Sequence, residues 1–151
     1  MEFDLCFNTN LDFDVFSKIV IKNFEKVIKA VDLQEDNDGI YLNFKYFSIT
    51  ILKEIYGIEL YDEEYGIKVN TNIEISLLNN IAEEGMRFVL NVIGILIKEL
   101  EGDAIFVGES SVVILKKMND KIFVYNNPEQ YYFKISFDDL NLKSDDIIVV
   151  K

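Results

Sequence analysis

Alternating apolar and polar residues predict a series of β-strands along the chain. The clearest case is the segment 67–77, where residues such as Ile67, Ile73 and Leu77 alternate with polar ones. Such a strand has one face on a core and one face in water. Further strands are predicted at residues 3–7, 40–44, 104–107, 112–115, 122–125, 131–137 and 147–150.

Apolar residues spaced by three and four predict two long helices. The first follows the polar turn at residues 8–10 and carries its stripe from Phe13 to Val31. The second starts at Asn80, with Glu83 placed as in a capping box, and ends at Gly102.

The stretch from Ser48 to Tyr56 fits two kinds of structure. Its β-branched residues suit a strand, whereas the spacing of Ile49, Leu52 and Tyr56 suits a short helix closed by Gly57. The spacing favours the helix.

The order of these elements predicts an α+β fold. A β-α-β-β-α-β beginning is the ferredoxin-like split β-α-β arrangement, a mainly antiparallel sheet with two helices on one face. A C-terminal hairpin around residues 118–121 and further strands extend it. There is no repeat or linker, and 151 residues suit one domain, so residues 1–151 are predicted to form a single domain.

Composition indicates a folded, soluble protein of the cytoplasm. Half of the residues are apolar, which is enough for a core. Cys6 is the single cysteine and can make no intramolecular disulfide. The first residues are acidic rather than basic, and the longest apolar stretch is far shorter than the ~20 residues of a membrane span.

Charge limits the class of partner. The chain carries 27 acidic and 15 basic residues, a net charge of −12. This opposes binding to nucleic acid or to an anionic membrane, both of which need a basic footprint. It permits a basic protein partner, although solubility alone would also account for it.

Residues that could perform catalysis or bind a metal are scarce, and we expect neither an enzyme nor a cofactor or metal site. The chain has no histidine, which removes the usual general base and the commonest metal ligand. Cys6 lies within a predicted strand beside acids, as a structural cysteine would. The segment Asp36–Gly39 is similar to a calcium loop, but Gln34 and Lys45 occupy the positions of its first and last acids.

One acidic segment is the candidate partner-binding site. Two tyrosines bracket three consecutive acids there, and tyrosine is favoured in protein interfaces. The alternative is an exposed loop whose tyrosines cover the sheet edge. The candidate residues are Glu59, Tyr61, Asp62, Glu63, Glu64 and Tyr65.

Three stretches share the pattern of one bacterial family. The opening strand, Phe3–Thr9, runs directly into a helix, and Tyr65–Ile67 is an aromatic-glycine-apolar step before the long strand. The most specific stretch is Leu100–Phe106, where a helix ends in Glu-Gly-Asp-Ala before a hairpin. In these respects the chain resembles the immunity proteins of the bacterial swarming-inhibition (Sit) toxin system. The likeness covers most of residues 1–127; residues 46–64 stand as an insertion, and the family's prolines are missing.

The resemblance implies a cytoplasmic protein that binds and neutralises a cognate protein toxin, made by the cell that delivers that toxin to its neighbours. It implies no catalytic residue. A basic nuclease is one candidate toxin, because a nuclease must be basic to hold its substrate, and an acidic inhibitor would block it by charge and shape.

Two other functions are consistent with the residues alone. One is a ferredoxin-like small-ligand-binding or regulatory domain, dimeric through a sheet edge, which requires an enclosed apolar pocket or a symmetric self-interface. The other is an enzyme without histidine, which requires polar groups that converge in a cleft.

Overall fold

The computed structural model describes residues 1–126 and 133–151. These residues form nine strands and three α-helices, with short 3-10 turns between some of them. In chain order the elements are β1 (Glu2–Phe7), α1 (Phe13–Val27), β2 (Asp32–Glu35), β3 (Gly39–Asn43), β4 (Phe47–Leu52), α2 (Ile58–Tyr65), β5 (Ile73–Leu77), α3 (Ala82–Glu99), β6 (Ala104–Val107), β7 (Val113–Met118), β8 (Lys121–Tyr125) and β9 (Ile147–Val150).

All nine strands join one open sheet in the order β2-β3-β4-β5-β1-β6-β7-β8-β9. Every neighbouring pair is antiparallel except β8 and β9, which run parallel. The predicted α+β class and the mainly antiparallel sheet are therefore confirmed. The first strand of the chain, β1, lies in the middle of the sheet.

The main core combines residues of the sheet with residues of α1 and α3. On β1 the alternation turns Phe3, Leu5 and Phe7 toward the core, and all three are almost completely buried. Helices α1 and α3 pack against each other over it. Helix α1 begins where the Asp12 carboxylate accepts the Val15 N–H at 2.9 Å, an N-cap that satisfies one of the unpaired amides of the first turn.

The opposite face of the sheet carries a smaller apolar cluster. Cys6 of β1 points there, together with Ile105 and Val107 of β6 and the chain segment that contains Ile67 and Val69. Helix α2 packs on this second face through its tyrosines. The segment between β4 and β5 thus covers the second face of the sheet.

The prediction of a helix in residues 48–56 is wrong. Residues Phe47 to Leu52 form β4, in the middle of the β3-β4-β5 part of the sheet. Phe47, Ile49 and Ile51 are buried on the core face, so the two-residue period determines the structure there. Gly57, expected to close a helix, instead precedes α2.

Other predicted boundaries also shift. Residues 67–72 are not in a strand, so only Ile73–Leu77 of the long alternating segment enters the sheet. A 3-10 turn, Asn79–Ile81, precedes α3, and no side chain caps that helix. Of the strand predicted at 131–137, residues 133–136 are not in a strand and Phe137 begins a 3-10 turn, while residues 131–132 lie outside the described part.

Candidate functional site

Helix α2 is a short helix bounded by two glycines. Gly57 and Gly66 both have left-handed backbone angles, with φ of 73° and 67°. Glycine adopts this conformation without the steric penalty of a β-carbon, so the two residues start and stop the helix sharply. Tyr61 and Tyr65 are one turn apart, with ring centroids separated by 5.7 Å, and both face the sheet.

Three polar contacts hold α2 on the sheet. The Tyr61 hydroxyl is hydrogen-bonded to the Cys6 thiol on β1. The Tyr65 hydroxyl donates to the Ser111 carbonyl at 3.2 Å, and the Lys116 ammonium donates to the Tyr65 carbonyl at 2.6 Å. No side chain of α2 is fully buried. The position of the helix therefore depends on these polar contacts rather than on deeply buried apolar side chains.

A cleft of about 400 Å³ opens between α2, the start of β1 and the turn that precedes β7. Four carboxylates line it, and so do three tyrosines. No lysine or arginine is among the described residues that line the cleft. The acids are Glu2, Asp4, Glu64 and Glu109, and the tyrosines are Tyr56, Tyr61 and Tyr65.

Two carboxyl groups lie side by side on this face, Asp4 partly buried and Glu74 exposed. Asp4 of β1 lies directly across from Glu74 of β5 in the antiparallel ladder. Burial raises the pKa of Asp4, a hydrogen bond with Asn72 partly offsets this, and the charge of Glu2 adds to it. Burial also raises the pKa of Glu74, and the charges of Asp4 and Glu2 raise it further. Both carboxylates would be stabilised by a cation that approached them.

The turn before β7 forms the third wall of the cleft. Ser110 and Ser111 have positive φ values of 60° and 62°, a conformation that costs a non-glycine residue roughly 1–2 kcal/mol. The Glu109 carboxylate accepts the Glu2 N–H at 3.0 Å, which fastens the turn to β1. With the bond from Tyr65 to Ser111, the turn is held from two sides.

The six predicted binding residues all lie on α2. Tyr61, Glu64 and Tyr65 line the cleft, whereas Glu59, Asp62 and Glu63 are exposed and do not line it. The segment is a helix rather than the exposed loop considered as its alternative.

Sequence reasoning missed the part of the site that lies outside α2. Glu2, Asp4 and Glu109 are more than 40 residues from α2 in the sequence, and only the sheet brings them together. One signal was present, since Asp4 alternates with the core residues Phe3 and Leu5 and must therefore face the other side of the sheet.

The remaining candidate chemistry has structural explanations. The Asp36 carboxylate accepts the N–H groups of Asp38 and Gly39 at 2.8 and 3.1 Å, which makes a turn. Burial raises the pKa of the Cys6 thiol to about 12, so it is protonated at neutral pH. Within residues 1–126 and 133–151 no cluster of three metal-ligating side chains occurs, and no helix there is long and apolar enough to cross a bilayer.

Comparison of the chain with family models, with curated proteins and with solved structures finds no match. Function therefore has to be inferred from the residues of the chain itself, above all from the acidic cleft.

Proposed function

We propose that the chain is a cytoplasmic immunity protein, which binds a cognate bacterial toxin and neutralises it by occlusion. The contact surface is α2 together with the acidic cleft beneath it. The partner surface is basic, and the chain itself performs no catalytic step.

The observation that carries the proposal is the unbalanced charge of the cleft. Four carboxylates surround about 400 Å³ of open space with no basic side chain among the described lining residues. A lysine or arginine of a partner would enter a negative potential and would relieve the repulsion around Asp4. Arginine fits best, because its planar group can bind a carboxylate and stack on a tyrosine ring.

Exposed apolar side chains beside the cleft supply the second element of a protein interface. Tyr56 keeps 86% of its surface exposed and Leu60 keeps 57%. Both also line the cleft. Aromatic and aliphatic anchors next to charged groups are typical of the residues that contribute most to binding energy.

The net charge of −12 adds a long-range component. Opposite charge accelerates encounter with a basic partner and makes the association rate dependent on salt. A nuclease toxin is basic where it holds its substrate, so an acidic inhibitor on that surface would exclude nucleic acid by both charge and bulk.

We also propose that the centre of the fold is a ferredoxin-like split β-α-β arrangement, and the strand order supports this. The segment β4-β5-β1-β6 is antiparallel throughout, with α1 after β1 and α3 between β5 and β6. This is the order expected for a split β-α-β arrangement. The β2–β3 hairpin, α2 and strands β7 to β9 are then additions, and α2 is the addition that bears the site.

Coexpression tests the function in cells. We predict that the gene immediately upstream encodes the toxin, and its product is expressed with the wild-type chain, with Leu60→Lys or with the matched variant Leu78→Lys. We expect protection by the wild type and by Leu78→Lys, whose side chain is 50% exposed outside the cleft, and reduced protection by Leu60→Lys. Cells that die despite full expression of the wild-type chain would contradict the proposal.

The alternative function, a dimeric ferredoxin-like regulatory or small-ligand-binding domain, is favoured by one feature, the exposed edge of β9. The cleft itself is open and strongly acidic, which suits a protein surface better than a small apolar ligand. A dimer alone does not distinguish the two functions, whereas protection of cells in the coexpression test does.

A further inference from the structure

The two outer edges of the sheet differ in how they are protected. β2 forms one edge, and three of its four residues are polar or acidic: Asp32, Gln34 and Glu35. β9 forms the other edge with the sequence Ile-Ile-Val-Val. Charged residues normally protect a sheet edge from pairing with another strand. The β9 edge lacks this protection.

The outer side of β9 is also exposed. Ile148 and Val149 keep 44% and 54% of their surface accessible. In the part of the chain that the structure describes, β8 is the only strand that pairs with β9. A four-residue strand of β-branched apolar residues favours addition of another strand.

From these observations we propose that β9 pairs antiparallel with β9 of a second copy of the chain, so that the two sheets become one across a two-fold axis. This inference uses a different surface from the acidic cleft, and it does not depend on the proposed toxin.

The backbone of β9 offers the required hydrogen-bonding groups. The Val150 carbonyl accepts the Asn126 N–H at 3.1 Å, so Val150 directs its backbone groups toward β8. Because these groups alternate in direction along a strand, Ile147 and Val149 direct theirs outward. Two such residues from each copy allow about four hydrogen bonds between the strands.

Symmetry and charge select the register. In a continuous antiparallel sheet, residues directly opposite each other point to the same face. The two-fold axis therefore passes between the two copies of one residue, which pair with each other. With the axis at Ile148, Ile147 meets Val149 of the second copy, and Lys151 comes near the 3-10 turn that holds Asp145 of the second copy. With the axis at Val149, Lys151 would instead meet the apolar Ile147. The first register is therefore favoured, since it brings opposite charges together at both ends of the paired strands.

Sedimentation velocity across a wide range of protein concentration tests the pairing. We expect the wild-type chain to form a dimer as concentration rises. Ile148→Lys places two like charges on the axis and should abolish the dimer. The matched variant Leu33→Lys, at a 50% exposed position of the opposite edge strand β2, should dimerise like the wild type. Circular dichroism establishes that each variant is folded.

Charge exchange tests the register without changing the apolar residues. Lys151→Glu and Asp145→Lys each bring like charges near one another and should weaken dimerisation roughly threefold to tenfold. The double variant Asp145→Lys/Lys151→Glu restores opposite charges and should recover the wild-type dimer. A wild-type chain that stays monomeric at every concentration would overturn the proposal, as would a double variant no better than the single ones.

Discussion

The Tyr65 hydroxyl donates a 3.2 Å hydrogen bond to the carbonyl of Ser111, and so joins two walls of the acidic cleft. Tyr65 is the last residue of α2, and Ser111 belongs to the turn before β7. The two residues are 46 positions apart in the sequence. The width of the cleft therefore depends on a contact between a short helix and a backbone turn with positive φ angles.

Loss of this hydroxyl should loosen the cleft. Tyr65→Phe keeps the ring and removes the donor, and one hydrogen bond contributes about 0.5–1.5 kcal/mol. Because this bond is exposed, we expect a loss near the lower end of that range in urea unfolding. Tyr56→Phe is the control, since the Tyr56 hydroxyl reaches only Glu54, two residues away. Equal stability of all three proteins would show that the bond contributes nothing.

The charged Asp4 carboxylate should lower the free energy of unfolding near neutral pH. Its pKa lies above the ordinary value of 3.8, mainly because it is partly buried. The folded chain therefore holds the proton more tightly than the unfolded chain, and stability falls as pH rises through the folded pKa. Asp4→Asn removes the charge and keeps an oxygen that can accept from Asn72.

The pH dependence of this substitution is its most specific property. We expect the free energy of unfolding of Asp4→Asn to exceed that of the wild type at neutral pH, with the difference vanishing toward pH 3.8. Asp62→Asn, at an exposed position of α2, is the control. Chemical denaturation at several pH values measures both differences, and a constant difference across pH would exclude the burial of Asp4 as its cause.

The Cys6 thiol should be unreactive in the folded protein. It is completely buried, and burial raises the pKa of the thiol to about 12. Because the thiolate is the reactive form, we expect an aromatic disulfide reagent to modify Cys6 only as fast as the protein unfolds. The rate should increase with urea. Rapid, stoichiometric modification without denaturant would contradict the burial of Cys6 on the second face of the sheet.

Lys117 should stabilise the end of α3. Its side chain is 7% exposed, and its ammonium group donates to the carbonyls of Ile97 and Leu100 at 2.8 and 2.9 Å. Lys117→Met leaves these carbonyls without their donor, and hydrogen bonds to a charged group contribute about 1.5–3 kcal/mol. We expect a loss of that order in urea unfolding. Lys121→Met, at an exposed position of β8, should change stability by no more than ~0.5 kcal/mol.

Sequence predicted the elements whose burial follows a clear period. Phe3, Leu5 and Phe7 alternate because one face of β1 lies on the core, and the apolar steps of α1 and α3 follow the same logic. Residues 48–56 were wrongly predicted to be helical, because their apolar residues fit both the two-residue period of a strand and the three- and four-residue spacing of a helix. Strand β2 gave no signal, since all of its residues are exposed and its place depends on pairing with β3.

The candidate site was only half predictable for a related reason. The tyrosines and acids of α2 are adjacent in the sequence and could be identified as a group. Asp4 and Glu109 join them through the pairing of β1 with β5 and β6, and through the turn that follows β6. Such long-range neighbours follow from sheet order, which local periodicity does not determine.

Binding of the purified partner tests the central claim, that a basic toxin is held in the acidic cleft. The product of the gene immediately upstream, which we predict to be the toxin, is titrated by calorimetry into the wild-type chain, Glu64→Lys and Glu25→Lys at low and high salt. Glu25 is an exposed acid of α1 and does not line the cleft, so both variants change the net charge equally. We expect Glu64→Lys to weaken binding about tenfold to a hundredfold, and Glu25→Lys to stay close to the wild type. Equal affinity of both variants for the toxin, or binding that is indifferent to salt, would contradict the account.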